Sequence, residues 1–240
     1  MFKTYIINLE RSPDRLERTK NELHKANLTN VERFNAIDGS THTNLHNVTT
    51  LCKQICTKEM IGCALSHIEV AKHFLDTMNG HQYCVVVEDD VRIVHHNTFI
   101  NDIQRLYKAH ADKDVIRLFC QGLCYKKARL AGSTAAYILT RQGANIIKDM
   151  KVAYHIDVQF NYLNIHNEQL VSTYDDTIRY KNPIYNIQIM NQSVGFWGTQ
   201  TIIKLPYTSI KFDFKKLILL LLLSLIIWFI VYKQYIRKNK

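Results

Sequence analysis

No base-stacking motif and no zinc-finger spacing occurs in these 240 residues, which removes the usual grounds for a nucleic-acid partner. Cysteine is sparse, six in all, and the pairs Cys52/Cys56 and Cys120/Cys124 are each four apart. Neither has the two-residue spacing of a zinc knuckle, so ordinary buried thiols are expected, kept reduced in a cytosolic domain. No apolar leader is expected from "MFKTYIINLE", which is too short a run and meets charge at once. No internal repeat is visible, and no low-complexity segment except one leucine run. A chain of this length, 47% hydrophobic and 22% charged, is read as one sizeable core with an appendage.

The appendage is the stretch Leu217 to Tyr232, "LILLLLLSLIIWFIVY", without a charge and flanked by Lys215, Lys216 and Lys233. As a helix it spans roughly 24 Å, a little under the roughly 30 Å hydrocarbon core, and snorkelling lysines can close the gap. It is therefore expected to be a transmembrane helix over 215–233, after a linker over 195–214 and before a basic tail over 234–240. The formal charge of +10 follows from it: eight Lys/Arg against one Asp lie from Lys204 onward, leaving +3 for the preceding 203 residues. The basicity belongs to membrane flanks, where it suits anionic head groups. The expectation is a single-pass C-terminal anchor with the large domain cytosolic.

Strand and helix signals alternate through the rest. Lys3 to Leu9 is β-rich, and Ser12-Pro13 opens a helical pattern to Asn27 with a cap residue and a proline at the first position. Glu32 to Ile37 reads as a strand ending at Asp38-Gly39, and Ser40 to Gln54 as a polar loop. Thr57 caps a helix to about Met78, stopped by Gly80. Apolar runs follow at Cys84–Val87, Val115–Phe119 and Ala135–Leu139, with helices near Thr98–His110 and from Arg141. This rhythm predicts an α/β fold with a mostly parallel sheet. Ligands of such sheets bind beyond the carboxyl ends of the strands. Asn8, Arg11 and Arg15 fall there, suited to an anionic ligand, although a solvated helix start explains them as well.

So does the run Glu88-Asp89-Asp90, three adjacent carboxylates after the apolar Cys84–Val87. A solvated turn is one explanation. A phospho-receiver is another, but the runs "DVIRLFC" and "AAYILT" end in Cys120 and Thr140 without the accepting Asp. The third is a divalent cation held by hard oxygens, which cancels the repulsion and stabilises a diphosphate leaving group. If strand geometry persists, Glu88 and Asp90 share the ion while Asp89 turns away.

Several stretches resemble glycosyltransferase family 25, the lipooligosaccharide and collagen galactosyltransferase group. "YIINLERSPDR" is similar to its opening, with Asn8, Arg11, Asp14 and Arg15. "RFNAIDG" ends in the matching Asp38-Gly39, and "KEMIGCALSHI" matches at Glu59, Gly62, Cys63, Ser66 and His67. "VVVEDDV" and "GSTAAYILTRQGA" follow in order, with weaker similarity at "HIDVQF" and "PIYNIQIMNQS". The resemblance implies a GT-A type nucleotide-diphosphosugar transferase fold over residues 1–194 and transfer with inversion. It implies a UDP-sugar donor, galactose or glucose as the sugar, and a glycan, glycolipid or protein acceptor. It also implies Mn²⁺ or Mg²⁺ at Glu88 and Asp90, with Asn8, Arg11, Arg15, Asp38, Glu59, Ser66 and His67 around the donor. Glu59, Cys63 and His67 share one helical face, so tight packing is the first explanation of His67, ahead of a donor contact and then of metal ligation. Asp157 is the candidate general base, with His155 as alternative; Asp157 also suits a helix N-terminus. A catalytically silent, membrane-tethered nucleotide-sugar binder is the competing class.

Overall fold

A computed structural model describes residues 2–77, 80–119 and 133–173, two short strands further on, and positions 222 and 224. The chain opens with β1 (Lys3–Asn8), α1 (Pro13–Lys25) and β2 (Val31–Asn35). Pro13 starts α1, and Leu16, Thr19 and Leu23 form its buried stripe. The helix stops where Asn27 takes φ +57°, a left-handed turn that asparagine tolerates, and Leu28 N–H bonds back to the Leu23 carbonyl at 3.0 Å.

Within the expected polar loop lies a short helix, α2 (Thr50–Ile55), capped by the Thr49 hydroxyl accepting from Cys52 N–H. Cys52 and Cys56 are joined as a disulfide, contrary to the expectation of free thiols. Four-residue spacing sets them one helical turn apart, with Cα atoms at 4.9 Å, inside bridging range. Cys120 and Cys124 lie outside the described residues. Next come α3 (Lys58–Thr77), β3 (Tyr83–Glu88), β4 (Val91–Ile93), α4 (Phe99–Ala109), β5 (Val115–Arg117), β6 (Ala136–Thr140) and α5 (Arg141–Ile147). The Thr57 hydroxyl caps α3 as expected, accepting from Met60 N–H at 3.3 Å. Then follow α6 (Ile156–Gln159), a 3₁₀ turn at Phe160–Tyr162, β7 (Ile165–Asn167), β8 (Val171–Thr173), and the antiparallel pair β9 (Ile202–Lys204) and β10 (Lys211–Asp213).

The central sheet has the order β2-β1-β3-β6-β5-β7. Strands β1, β2 and β3 are mutually parallel; β6 runs against both β3 and β5, and β7 runs with β5. Five of the six strands therefore point one way and only β6 is reversed, so the mostly parallel sheet holds. Both faces are covered. Tyr5, Ile7, Cys84, Val86, Val115, Tyr137 and Leu139 pack with residues of α3 and α5 on one side. Ile6, Val85, Val87, Ile116, Ala136 and Ile138 pack with residues of α1 and α4 on the other. Burial on both faces is why these strands read as unbroken apolar runs rather than alternating ones.

The expected transmembrane helix over 215–233 finds no counterpart among the described residues. Crossing a bilayer takes about 20 continuous, predominantly apolar helical residues, and no helix among the described residues is long and apolar enough. The longest, α3, has 20 residues but carries Lys58, Glu59, His67, Glu69, Lys72, His73 and Asp76. The single-pass anchor and the membrane placement built on it therefore have no support among the described residues. Of the run 217–232 only positions 222 and 224 are described, and the tail over 234–240 and "PIYNIQIMNQS" lie outside the described residues.

Candidate functional site

Because β1, β2 and β3 are parallel, their carboxyl ends share one edge of the sheet, and Asn8, the exit to Asp38 and Glu88 arrive there together. The reversed β6 contributes its beginning instead: Glu88 N–H donates to the Ala135 carbonyl at 2.8 Å, which sets Thr134 beside Glu88. Strand β5, running with β3, delivers Arg117 at its end. One edge thus gathers residues from across the chain.

An outer group forms around the β1 end. Asn8 Nδ2 donates to Asp89 Oδ2 at 2.7 Å and to the Ser12 carbonyl at 2.9 Å, while Arg33 Nε donates to Asn8 Oδ1 at 3.0 Å. Arg15 Nη2 lies 2.6 Å from Asp89 Oδ1 and 3.3 Å from Asp90 Oδ2. Burial pushes the Asp89 carboxyl above its usual value, against the pull of Arg15 and Asn8. Arg11, more than half exposed, pairs with Asp38. Glu59 sits exposed in the first turn of α3. Ser66 acts on the backbone: its Oγ accepts from Ile37 N–H at 2.8 Å and donates to the Gly62 carbonyl at 2.7 Å, pinning the Asp38 loop to α3.

An inner group lies between α3 and the β3 end. Strand geometry does not persist past Glu88; the chain turns through Asp89 and Asp90 before β4. Glu88 Oε1 accepts from the Thr134 hydroxyl at 2.9 Å, and the same hydroxyl oxygen lies 2.6 Å from Asp157 Oδ1. One hydrogen faces two carboxylate oxygens. Asp157, 2% exposed, is held from behind: buried Arg117 donates to its carbonyl at 2.8 Å and to Asn161 Oδ1 at 2.9 Å. His155 Nδ1 accepts from Asp157 N–H at 3.3 Å, and Asp157 is in the first turn of α6. The ring of His67 contacts the Tyr137 hydroxyl through Nδ1 at 2.9 Å and turns Nε2 toward Glu88 Oε1 at 3.4 Å. Burial would raise the Glu88 carboxyl, but the nearby His67 ring, with Thr134 and His155, holds it below the usual range. The Cys63 thiol is pushed well up, first by burial and then by Glu88, Asp157 and Asp90.

Residues 1–159 match the family model described as "Glycosyltransferase family 25 (LPS biosynthesis protein)". The chain belongs to glycosyltransferase family 25. The matched span contains every residue of both groups just described except Asn161. A protein of Acanthamoeba polyphaga mimivirus named "Putative glycosyltransferase R655" is 33% identical over 94 residues, 38% of this chain and 29% of that one. The chain thus spans under a third of that relative's length. Among solved structures, "Crystal Structure of A197 from STIV" overlays with a TM-score of 0.40 and 11% identity, covering 72% of this chain and 85% of that one.

Sequence reading assigned no role to Thr134, Arg117 or Tyr137. Arg117 carried a signal, since a guanidinium inside the apolar run "VIRLF" must find partners if buried. Thr134 lay within the family-like stretch "GSTAAYILTRQGA" but nothing local singled it out, because its importance comes from the reversed direction of β6.

Proposed function

We propose that this family 25 chain transfers a hexose, galactose or glucose, from a UDP-sugar to a hydroxyl of a glycan, glycolipid or protein, with inversion at the anomeric carbon. The observation that carries the reading is the meeting of Glu88, Thr134, Asp157 and His67 at the edge where parallel strands end. In the proposed step, an acceptor hydroxyl enters the inner group and Asp157 takes its proton. The acceptor oxygen bonds to the anomeric carbon as the bond from that carbon to the diphosphate oxygen breaks, and the diphosphate leaves with the electron pair. Thr134 and Arg117 set the position of Asp157; Asn8, Arg11, Arg15, Asp38, Glu59, Ser66 and His67 surround the donor or shape its site.

The donor set suits a hard divalent ion. Glu88 and Asp90 offer carboxylate oxygens, the donor type a hard divalent ion prefers. These two would hold Mn²⁺ or Mg²⁺, which when bound neutralises charge on the leaving diphosphate.

The test is transfer from a panel of nucleotide sugars, with and without Mn²⁺, for the native chain and Asp157→Asn. Loss of general-base help predicts a fall of about 10²- to 10⁴-fold with the far-UV spectrum unchanged. Activity within a few-fold of native in Asp157→Asn removes the base assignment. Donor binding without turnover under any condition replaces the transferase reading with a binding protein.

A further inference from the structure

We propose that Cys63, His67 and Glu88 form a binding site for a thiophilic divalent cation, Zn²⁺ in particular, distinct in chemistry from the hard-ion pair Glu88 and Asp90. One sulfur, one nitrogen and one carboxylate oxygen, a donor from each residue, all lie within 4.8 Å of one another. Cys63 and His67 are four residues apart on α3, so they project from the same face, and Glu88 meets them from the end of β3.

His67 points independently to a ligand. It is 1% exposed, and among the described residues its buried Nε2 has no hydrogen-bond partner. Folded proteins rarely leave a buried ring nitrogen so. Its other nitrogen is engaged by the Tyr137 hydroxyl, so the ring is already oriented with Nε2 facing Glu88. Glu88 is likewise held, by Thr134. Metal-binding histidines and carboxylates are typically braced by such outer partners, which set the ring and the lone pairs before the ion arrives.

The donor types select the ion. A thiolate, an imidazole and a carboxylate suit Zn²⁺ or Co²⁺, whereas Mg²⁺ prefers oxygen alone. Three protein ligands leave a fourth position for water or another group. A dication also answers the electrostatics, since burial, and then Glu88, Asp157 and Asp90, otherwise oppose ionisation of the thiol. Glu88 belongs to both sets, so the thiophilic ion and a hard ion exclude one another there. Binding itself does not depend on the transferase reading.

The experiment uses the full chain, stripped with a chelator and titrated with Co²⁺, then Zn²⁺, with no sugar donor present. The native chain is expected to show a thiolate-to-cobalt charge-transfer band that Zn²⁺ removes. Competition against a chromophoric chelator should give Zn²⁺ binding that excess Mg²⁺ does not relieve. Cys63→Ser should lose the band and bind Zn²⁺ at least about tenfold more weakly, while the Cys120→Ser/Cys124→Ser double variant keeps both. A band that survives Cys63→Ser, or disappears in the double variant, overturns the proposal. If Cys63→Ser does not fold by far-UV circular dichroism, Glu88→Gln carries the test: the same loss of Zn²⁺ affinity is expected, and native affinity overturns the site.

Discussion

Replacing Gly62 by alanine sets two effects of opposite sign against each other. Gly62 lies inside α3, where alanine is favoured over glycine by about 0.5–1 kcal/mol through backbone entropy. Helix propensity alone therefore predicts stabilisation. The structure predicts the reverse. A Cβ at this position would stand 2.6 Å from Gly39 N, 2.6 Å from the Ile37 carbonyl oxygen and 2.9 Å from Gly39 Cα. Comfortable carbon contacts lie near about 3.5–4.0 Å, and all three neighbours are backbone atoms that cannot rotate aside. Nor can the loop swing away freely, because Ile37 N–H is bonded to Ser66 on the same helix. Overpacking of this kind costs about 1–3 kcal/mol, with rigid neighbours at the upper end. The net expectation is destabilisation by about 1–2 kcal/mol, lowering Tm by roughly 2–8 °C for a domain of this size. Thermal unfolding of Gly62→Ala beside the native chain, followed by circular dichroism, measures it. An unchanged or raised Tm would mean that α3 and the Asp38 loop do not meet as described.

Two further outcomes follow from buried polar groups. Arg117→Met strips the buried Asp157 carbonyl and the part-buried Asn161 side chain of their donors, and at about 1–3 kcal/mol for the buried carbonyl, with less from Asn161, predicts a loss near 1–3 kcal/mol in urea unfolding; native stability would show that the guanidinium holds nothing in place. His166 stacks on His110 at 3.6 Å, and burial, then the charge of His110, holds its pKa below the ordinary 6.5. Its stabilising contribution is therefore present above pH 6.5 and lost as pH falls through the lower folded value. Unfolding midpoints across that range should drop less steeply for His166→Asn than for the native chain, and parallel curves would refute the linkage.

Much of the layering was legible along the chain because its causes are local. Pro13 opening α1, the Thr57 cap of α3 and the unbroken valines of β3 are properties of a few neighbouring residues. The polar stretch before Gln54 misled for the same reason: its hydrophilic composition hid a helix in which Cys52 comes within bridging distance of Cys56, just past the last turn, only once coiled. The acidic triplet was visible as unusual, but its division was not. The chain turns after Glu88, so alternation no longer governs; Asp89 goes to Asn8 and Arg15 and Glu88 to Thr134 and His67.

What the sequence determined by itself was the alternation of strands and helices and the chemical character of each strand end, since period, capping and charge act over one or two turns of chain. Tertiary structure alone decided which ends meet. Asn8 and Asp89 are 81 positions apart and Thr134 and Asp157 are 23 apart, yet each pair lies within hydrogen-bonding distance. That proximity comes from strand order, and above all from the one reversed strand, β6, whose first residues reach the edge where its neighbours finish. Strand direction is settled by cooperative packing of both sheet faces, a property no short segment carries.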